Sequence, residues 1–81
     1  MGRISEELDQ TCRASPKRLL RVVITLKESC QELTPQQLGI DAEPIEGIPG
    51  MLAGSLPGES ILELCKRDEV QEVTEDFEVS T

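Results

Sequence analysis

The sequence predicts one α+β domain whose elements follow in the order β, α, β, β, α, β. Three observations carry this prediction: an apolar face between residues 19 and 27, a helical apolar spacing after Ser60, and alternating apolar and acidic residues near the C-terminus. At 81 residues the chain has room for a single domain. Phe77 is its only aromatic residue, so the core must be aliphatic.

The first strand is predicted over Leu19–Lys27, where β-branched and other apolar residues predominate. Side chains alternate between the two faces of a strand, so the even positions of this segment lie on one face. Those positions are all apolar: Leu20, Val22, Ile24 and Leu26.

The segment after the first strand carries two competing signals for the start of a helix. Ser29 and Thr34 each stand three residues before a Glu or Gln, which is the spacing of a capping box. Pro35 would break a helix begun at Ser29, but it suits the first turn of a helix begun at Thr34. We therefore expect a short or irregular helix within residues 30–38, closed by Gly39.

A β-hairpin is predicted next, with strands over residues 42–48 and 51–56. Pro44 weakens the first of these strands and suits an edge position or a strand start. The Pro-Gly pair at residues 49–50 predicts the turn between the strands. A Leu-Pro-Gly sequence then ends the hairpin.

The second helix is predicted over Glu59–Arg67. Ser60 stands three residues before a Glu, and the apolar residues that follow recur at helical spacing. A final strand comes after it, with Val73, Phe77 and Val79 on one face and acidic or polar residues on the other. Glu75 falls on the apolar side and is the exception.

These elements match the ferredoxin-like arrangement, a four-stranded antiparallel sheet with two helices on one face. The residues before the first strand are mostly polar, with Ile4 and Leu8 as their sizeable apolar side chains. We therefore expect a flexible N-terminal tail over residues 1–17 and a single α+β domain over residues 18–81.

The formal net charge of -8 is unevenly distributed along the chain. Residues 1–30 carry six basic and four acidic side chains, whereas from residue 31 onward twelve acidic residues face only Lys66 and Arg67. The acidic part would repel phosphate backbones, and the basic residues have no aromatic neighbours on which bases could stack. Nucleic acid is therefore a poor candidate partner, and a basic or helix-rich protein surface is a better one.

The longest apolar run, residues 19–26 with Arg21 inside it, is too short to span a bilayer or to serve as a signal segment. We expect a cytoplasmic protein with no membrane partner. Cys12, Cys30 and Cys65 are odd in number and lack a close CxxC spacing. This pattern favours reduced structural or surface thiols over a disulfide framework or a zinc site, and no cofactor is expected.

The sequence offers little for catalysis, and we expect no enzyme activity. It contains no His, which is the commonest general base. Cys30 lies near an expected helix start, but no neighbouring cation is predicted to activate it. The glycines of the segment GIPGMLAGS, residues 47–55, lack the following Lys of a phosphate-binding loop and flank a hairpin, which favours turn glycines.

The segment from Pro49 to Val79, PGMLAGSLPGESILELCKRDEVQEVTEDFEV, resembles the propeptide inhibitors of subtilisin-like serine proteases. The likeness lies in a glycine with a short apolar strand, a Leu-Pro-Gly link, a compact helix with paired leucines, and an acidic terminal strand. The first strand, RVVITLK, also matches the opening strand of that family. The resemblance covers about residues 20–79.

The resemblance implies an open sheet that lies against two surface helices of a protease, with the C-terminal tail in the substrate cleft. Acidic side chains on the sheet would then cap the N-termini of those helices. Asp76 matches the acid of the family motif, whereas Thr74 replaces the acid expected directly after Val73. The implied partner-binding residues are Thr74, Glu75, Asp76, Phe77, Glu78, Val79, Ser80 and Thr81.

Two hypotheses therefore follow from the sequence. The first is a propeptide-like domain that inhibits a subtilisin-like protease or assists its folding. The alternative is a ferredoxin-like interaction or self-assembly domain unrelated to proteases, which recruits a partner by strand addition or forms a homodimer through its sheet. A small enzyme that uses Cys30 is a third class.

Overall fold

The computed structural model describes residues 3–75. These residues form strands and helices around one core, with a 3-10 turn at Glu28–Cys30. In chain order the elements are β1 (Arg3–Ile4), α1 (Glu6–Ala14), β2 (Leu19–Leu26), α2 (Pro35–Leu38), β3 (Glu43–Pro44), β4 (Met51–Pro57), α3 (Gly58–Cys65) and β5 (Val70–Glu75).

The strands of the described residues form one sheet in the order β1-β5-β2-β4-β3. β2 lies at its centre and pairs antiparallel with both β4 and β5, and β3 pairs antiparallel with β4. β1 pairs parallel with β5. The α+β class is therefore confirmed, but the expected four-stranded antiparallel sheet is wrong, because the N-terminal segment adds a fifth, parallel strand.

The core lies between one face of this sheet and the helices α1 and α3, which pack against each other. β2 contributes the apolar face predicted from its even positions, and these four side chains are at most 6% exposed. The helices and the flanking strands complete the core with Leu8, Cys12, Leu38, Leu52, Leu56, Ile61, Leu64, Cys65, Val70 and Val73. The core is aliphatic, as its composition predicts.

The N-terminal segment belongs to the fold, and the prediction of a flexible tail is wrong for residues 3–14. Ser5 caps α1 by accepting a hydrogen bond from the amide of Leu8 at 3.2 Å. Arg13 in the last turn pairs with Asp9 at 3.1 Å. Leu8 is only 1% exposed and Cys12 is completely buried, so α1 supplies part of the core rather than a tail.

The short helix between β2 and β3 follows the prediction closely. Thr34 and Gln37 form a reciprocal capping box, Pro35 occupies the first turn, and Gly39 ends α2 in the left-handed conformation with φ of 70°. With only four residues, Pro35–Leu38, α2 is too short to cover the sheet. The second helix packed beside α3 is therefore α1, which the sequence did not predict.

The hairpin differs from the prediction in its first strand. The expected strand over residues 42–48 shrinks to Glu43–Pro44, because Gly47 and Gly50 adopt positive φ and fold the loop back onto β4. The amide of Ile45 then donates to the carbonyl of Met51 at 2.9 Å. β4 itself lies where it was predicted.

The helix α3 begins at Gly58, two residues before the predicted capping residue Ser60. The residue that precedes the helix is Pro57, whose side chain makes no capping hydrogen bond. The start of the helix is instead held by α1 and the turn after it: the amide of Gly58 donates to the carbonyl of Arg18 and that of Glu59 to the carbonyl of Pro16. Tertiary hydrogen bonds therefore replace the local cap.

Candidate protein-binding surface

The sheet face opposite the helices is the surface on which the sequence-based hypotheses depend, and it is called the exposed sheet face below. Side chains alternate between the two faces along each strand, so the residues next to core residues in the same strand lie on this face. The strand registers and the burial pattern identify them. They are Arg3 of β1, Leu19, Arg21, Val23 and Thr25 of β2, Glu43 of β3, Met51, Ala53, Ser55 and Pro57 of β4, and Glu72 and Thr74 of β5.

The centre of this face consists of two rows of side chains that run across the sheet, most of them small. In one row Val23 lies opposite Ala53 on β4 and Thr74 on β5. In the next row Thr25 lies opposite Met51 and Glu72. Val23, Thr25, Met51 and Ala53 are half-buried and uncharged, so the centre is partly accessible to a partner.

Charged side chains surround this centre. Arg3 lies beside Glu72 at one edge of the sheet, and Glu43 lies beside Ala53 at the opposite edge. Arg21 is exposed on β2 at the level of Ser55. The face thus has a mostly uncharged centre and a charged rim, and depletion of charge at the centre is usual for a surface that binds another protein.

One large apolar side chain on this face is left largely in water. Leu19, at the start of β2 and opposite Pro57, is 65% exposed. Scattered exposed leucines are common on protein surfaces. On this face the row of Arg21 and Ser55 lies between Leu19 and the centre, so Leu19 and Pro57 form a separate apolar patch at the start of β2.

Of the predicted partner-binding residues, the structure describes Thr74 and Glu75, and it places them on opposite faces of the sheet. Thr74 lies on the exposed sheet face, where its hydroxyl donates a long hydrogen bond of 3.5 Å to the carbonyl of Val23. Glu75 lies opposite Val22, which is completely buried on the helix side of the sheet. Thr74 and Glu75 therefore cannot contact one partner across the same face.

The remaining predicted residues, Asp76, Phe77, Glu78, Val79, Ser80 and Thr81, lie outside the described residues.

Sequence reasoning missed most of the exposed sheet face. It named the even positions of β2 as the core face but drew no conclusion about the odd positions, among them Val23 and Thr25. The same alternation would have identified them, because a strand with one buried face presents its other face outward. Glu43 and Arg3 carried no such signal, since each belongs to a strand of only two residues.

A groove of about 560 Å³ lies between the end of α2 and one side of α3. Leu38, Ile40 and Leu64 contribute its apolar part. Its cations already have partners: Lys66 Nζ is 3.4 Å from Glu63 Oε1, and Arg67 Nη1 is 3.4 Å from Glu69 Oε2. The two cations that line the groove are therefore already paired with neighbouring acidic side chains.

Cys30 lies in a separate depression of about 380 Å³, at the end of the 3-10 turn. Its sulfur is 3.7 Å from the hydroxyl of Ser29. Glu32 and Glu69 also line the depression, which is built without a cation or an imidazole that could activate the sulfur. This arrangement does not support nucleophilic chemistry.

The other two cysteines belong to the hydrophobic core. Cys12 and Cys65 are free and buried. Burial raises the pKa of both thiols, with a further contribution from Asp9 and Glu75 at Cys12, and from Cys12 and Asp9 at Cys65. Among residues 3–75, no cluster of His, Cys, Asp or Glu could hold a metal ion.

Within the part of the chain that the structure describes, no helix has the length and apolar character needed to cross a bilayer.

Comparisons of this chain with protein-family models, with curated proteins and with solved structures found no match.

Proposed function

We propose that this chain is a non-catalytic protein-binding domain that uses its exposed sheet face. The observation that carries the proposal is the row Thr74, Val23 and Ala53, which places small side chains side by side on three adjacent strands. Small side chains allow another protein to approach the sheet closely, and the charged rim can fix its orientation.

We further propose that the fold is a ferredoxin-like variant related to the propeptide inhibitors of subtilisin-like proteases. The support is topological: without β1, the sheet consists only of antiparallel pairs, and its strands follow one another as β, short helix, β, β, α, β. In this interpretation the exposed sheet face lies on two helices of a protease. Glu72 and Thr74 then approach the helix N-termini, where unpaired amides favour an acidic or hydroxyl group.

The proposal assigns the acidic contact to Glu72 rather than Glu75. Glu72 lies on the exposed sheet face, in the row next to Thr74. Glu75 lies on the helix side of the same strand and is therefore left out of the contact. Asp76 keeps its proposed role as the acid of the family motif, and residues 77–81 keep their proposed role in the substrate cleft.

The test is inhibition and binding of a purified subtilisin-like protease by the full chain. Val23→Arg places a long charged side chain at the centre of the face and is expected to abolish binding. Ile48→Arg is the matched control, because Ile48 is 47% exposed in the loop before β4 and lies outside the sheet. Its binding should equal that of the native chain.

Removal of residues 77–81 tests the cleft separately. If the truncated chain binds but no longer inhibits, the tail occupies the cleft. Equal inhibition before and after truncation would refute the cleft mechanism, and the absence of any binding by the native chain would refute the protease as partner.

A further inference from the structure

The exposed sheet face differs in charge from the rest of this chain. Its strand residues within the described range carry two basic side chains, Arg3 and Arg21, and two acidic ones, Glu43 and Glu72. The whole chain has a formal net charge of -8. The net repulsion between two copies of this acidic chain therefore comes from residues outside this face, whose own strand residues have no net charge.

The positions of the charges on this face are also complementary to those of a second copy. Arg3 belongs to β1 at one edge of the sheet, and Glu43 belongs to β3 at the other edge. Along the strands they lie one row apart, because Arg3 is level with Thr25 and Glu43 is level with Val23. That offset is about 7 Å, within the combined reach of an Arg and a Glu side chain.

We propose that a second copy of this chain binds the exposed sheet face, through a two-fold axis that runs in the interface along β2. Such an axis places β1 of one copy over β3 of the other, and β5 over β4. Arg3 of each copy then faces Glu43 of its partner, so the contact forms twice. The proposal rests on the proposed function, because it names an occupant for the same face.

The centre of the face suits this arrangement. Sheets that pack face to face lie about 10 Å apart, which requires small or medium side chains between them. Val23, Thr25, Ala53 and Thr74 meet this requirement, and Met51 can adjust its shape to a neighbour. Because the two-fold axis lies over β2, Val23 meets the same residue of the partner.

The size of the face predicts a weak dimer. The five strands lie about 4.8 Å apart and average about five residues, with two residues in β1 and β3 and six to eight in the others, so together they cover roughly 400 Å² per copy. A total of roughly 800 Å² lies at the low end of specific interfaces. We therefore expect a dissociation constant of roughly 10 to 500 μM, and a dimer that forms only when another protein partner leaves the face free.

The experiment is sedimentation equilibrium of the full chain from about 10 μM to 1 mM, at low and high salt. The native chain should associate to dimers and no further, and salt should weaken the association because the rim contacts are exposed. Arg3→Glu and Glu43→Arg should each weaken the dimer on the order of tenfold, since each sets like charges opposite one another.

The decisive sample is an equal mixture of the two variants. In a mixed dimer both contacts join opposite charges, so the mixture should associate about as well as the native chain. If net charge alone governed association, Arg3→Glu would weaken the dimer because it makes the chain more acidic. Glu43→Arg would instead strengthen the dimer because it makes the chain less acidic. Weakening by both variants followed by recovery in the mixture is therefore specific to the proposed pairing.

Matched controls reverse charges away from the face. Lys17→Glu and Glu32→Arg change exposed residues that belong to no strand, and both should leave the dissociation constant within about twofold of the native value. A native chain that stays monomeric at 1 mM would overturn the proposal, and so would a mixture no stronger than its components. Either result leaves protease binding by the monomer as a separate question, answered by Val23→Arg and Ile48→Arg.

Discussion

Val70 and Val73 are both completely buried, although they stand three residues apart in the same strand. Regular alternation would place them on opposite faces of the sheet. The pairing of β5 with β2 explains the difference, because Leu26 pairs with Val70 and Thr25 pairs with Glu72. Gln71 is thus an extra residue, a β-bulge that brings both valines to the helix side.

The bulge predicts that Val70→Ala and Val73→Ala destabilise the domain by similar amounts. Each change removes buried methyl groups and leaves a cavity, at a cost of about 1–3 kcal/mol in the free energy of unfolding. Urea denaturation measures the loss. Gln71→Ala, at an exposed position, is the control and should change the free energy by less than about 0.5 kcal/mol. A near-neutral effect at either valine would contradict the bulge.

The N-terminal helix predicts that Leu8→Ala is strongly destabilising. Leu8 is 1% exposed and packs in the main core, so its truncation should cost about 2–4 kcal/mol. Gln10→Ala in the same helix is exposed and serves as the control. Thermal unfolding followed by circular dichroism measures both variants. Equal melting temperatures for the two variants would contradict the packing of Leu8 in the core and would favour the flexible tail that the sequence suggested.

The contact between α1 and α3 predicts that Gly58→Ala is destabilising. A Cβ atom at Gly58 would lie 2.8 Å from the Cα atom of Cys12, 2.9 Å from its carbonyl oxygen and 3.0 Å from that of Ser15. All three are backbone atoms and cannot rotate away. Alanine gains up to about 1 kcal/mol in helix propensity, but the overlap forces α1 and α3 apart and should produce a net loss of about 1–3 kcal/mol.

The neighbouring change Glu59→Gln is the control for Gly58→Ala, because Glu59 is exposed in the same turn and adds no atom toward α1. Urea denaturation of the two variants separates crowding at the helix contact from the electrostatic effect of the helix end. If Gly58→Ala were the more stable variant, α1 and α3 would have to lie farther apart than the structure has them.

The elements that could be predicted from sequence are those with a strong local signal. β2 has four apolar residues in alternation, and α2 has a capping box with Pro35 and Gly39 at its ends. α1 has only a weak local signal, because its buried residues are Leu8 and Cys12 and the rest of the helix is mostly polar. β1 and β3 are too short to show any periodicity.

For the candidate surface, too, the pattern within one strand was not sufficient, and the pairing between strands was needed. The parity of β5 already set Glu75 apart on the apolar side, but the resemblance to a family grouped it with Thr74. The register with β2 decides between them, because Glu75 lies opposite Val22 and Thr74 opposite Val23. Pairing between strands distant in sequence is what the local pattern lacked, and it determines which acidic side chain reaches the exposed sheet face.

The buried thiols predict a loss of stability at alkaline pH. Burial raises the pKa of Cys12 and Cys65 in the folded chain, so the unfolded chain releases these protons first as the pH rises above about 8.5. Below that pH the two protonated thiols make their full contribution to the free energy of unfolding. This contribution is lost as the pH rises toward the raised pKa values of the folded chain. The free energy of unfolding in urea should therefore be lower at pH 9.5 than at pH 7.

Two cysteine variants identify the source of this loss. Cys12→Ala removes one of the buried thiols and should reduce the pH-dependent part of the loss, although its cavity lowers stability at both pH values. Cys30→Ala leaves both buried thiols in place and should keep the full pH-dependent loss. Thiol labelling of the native chain gives a second measurement, in which half-buried Cys30 reacts first and the other two react only as the domain unfolds. Rapid labelling of all three under native conditions would show that α1 does not seal the core.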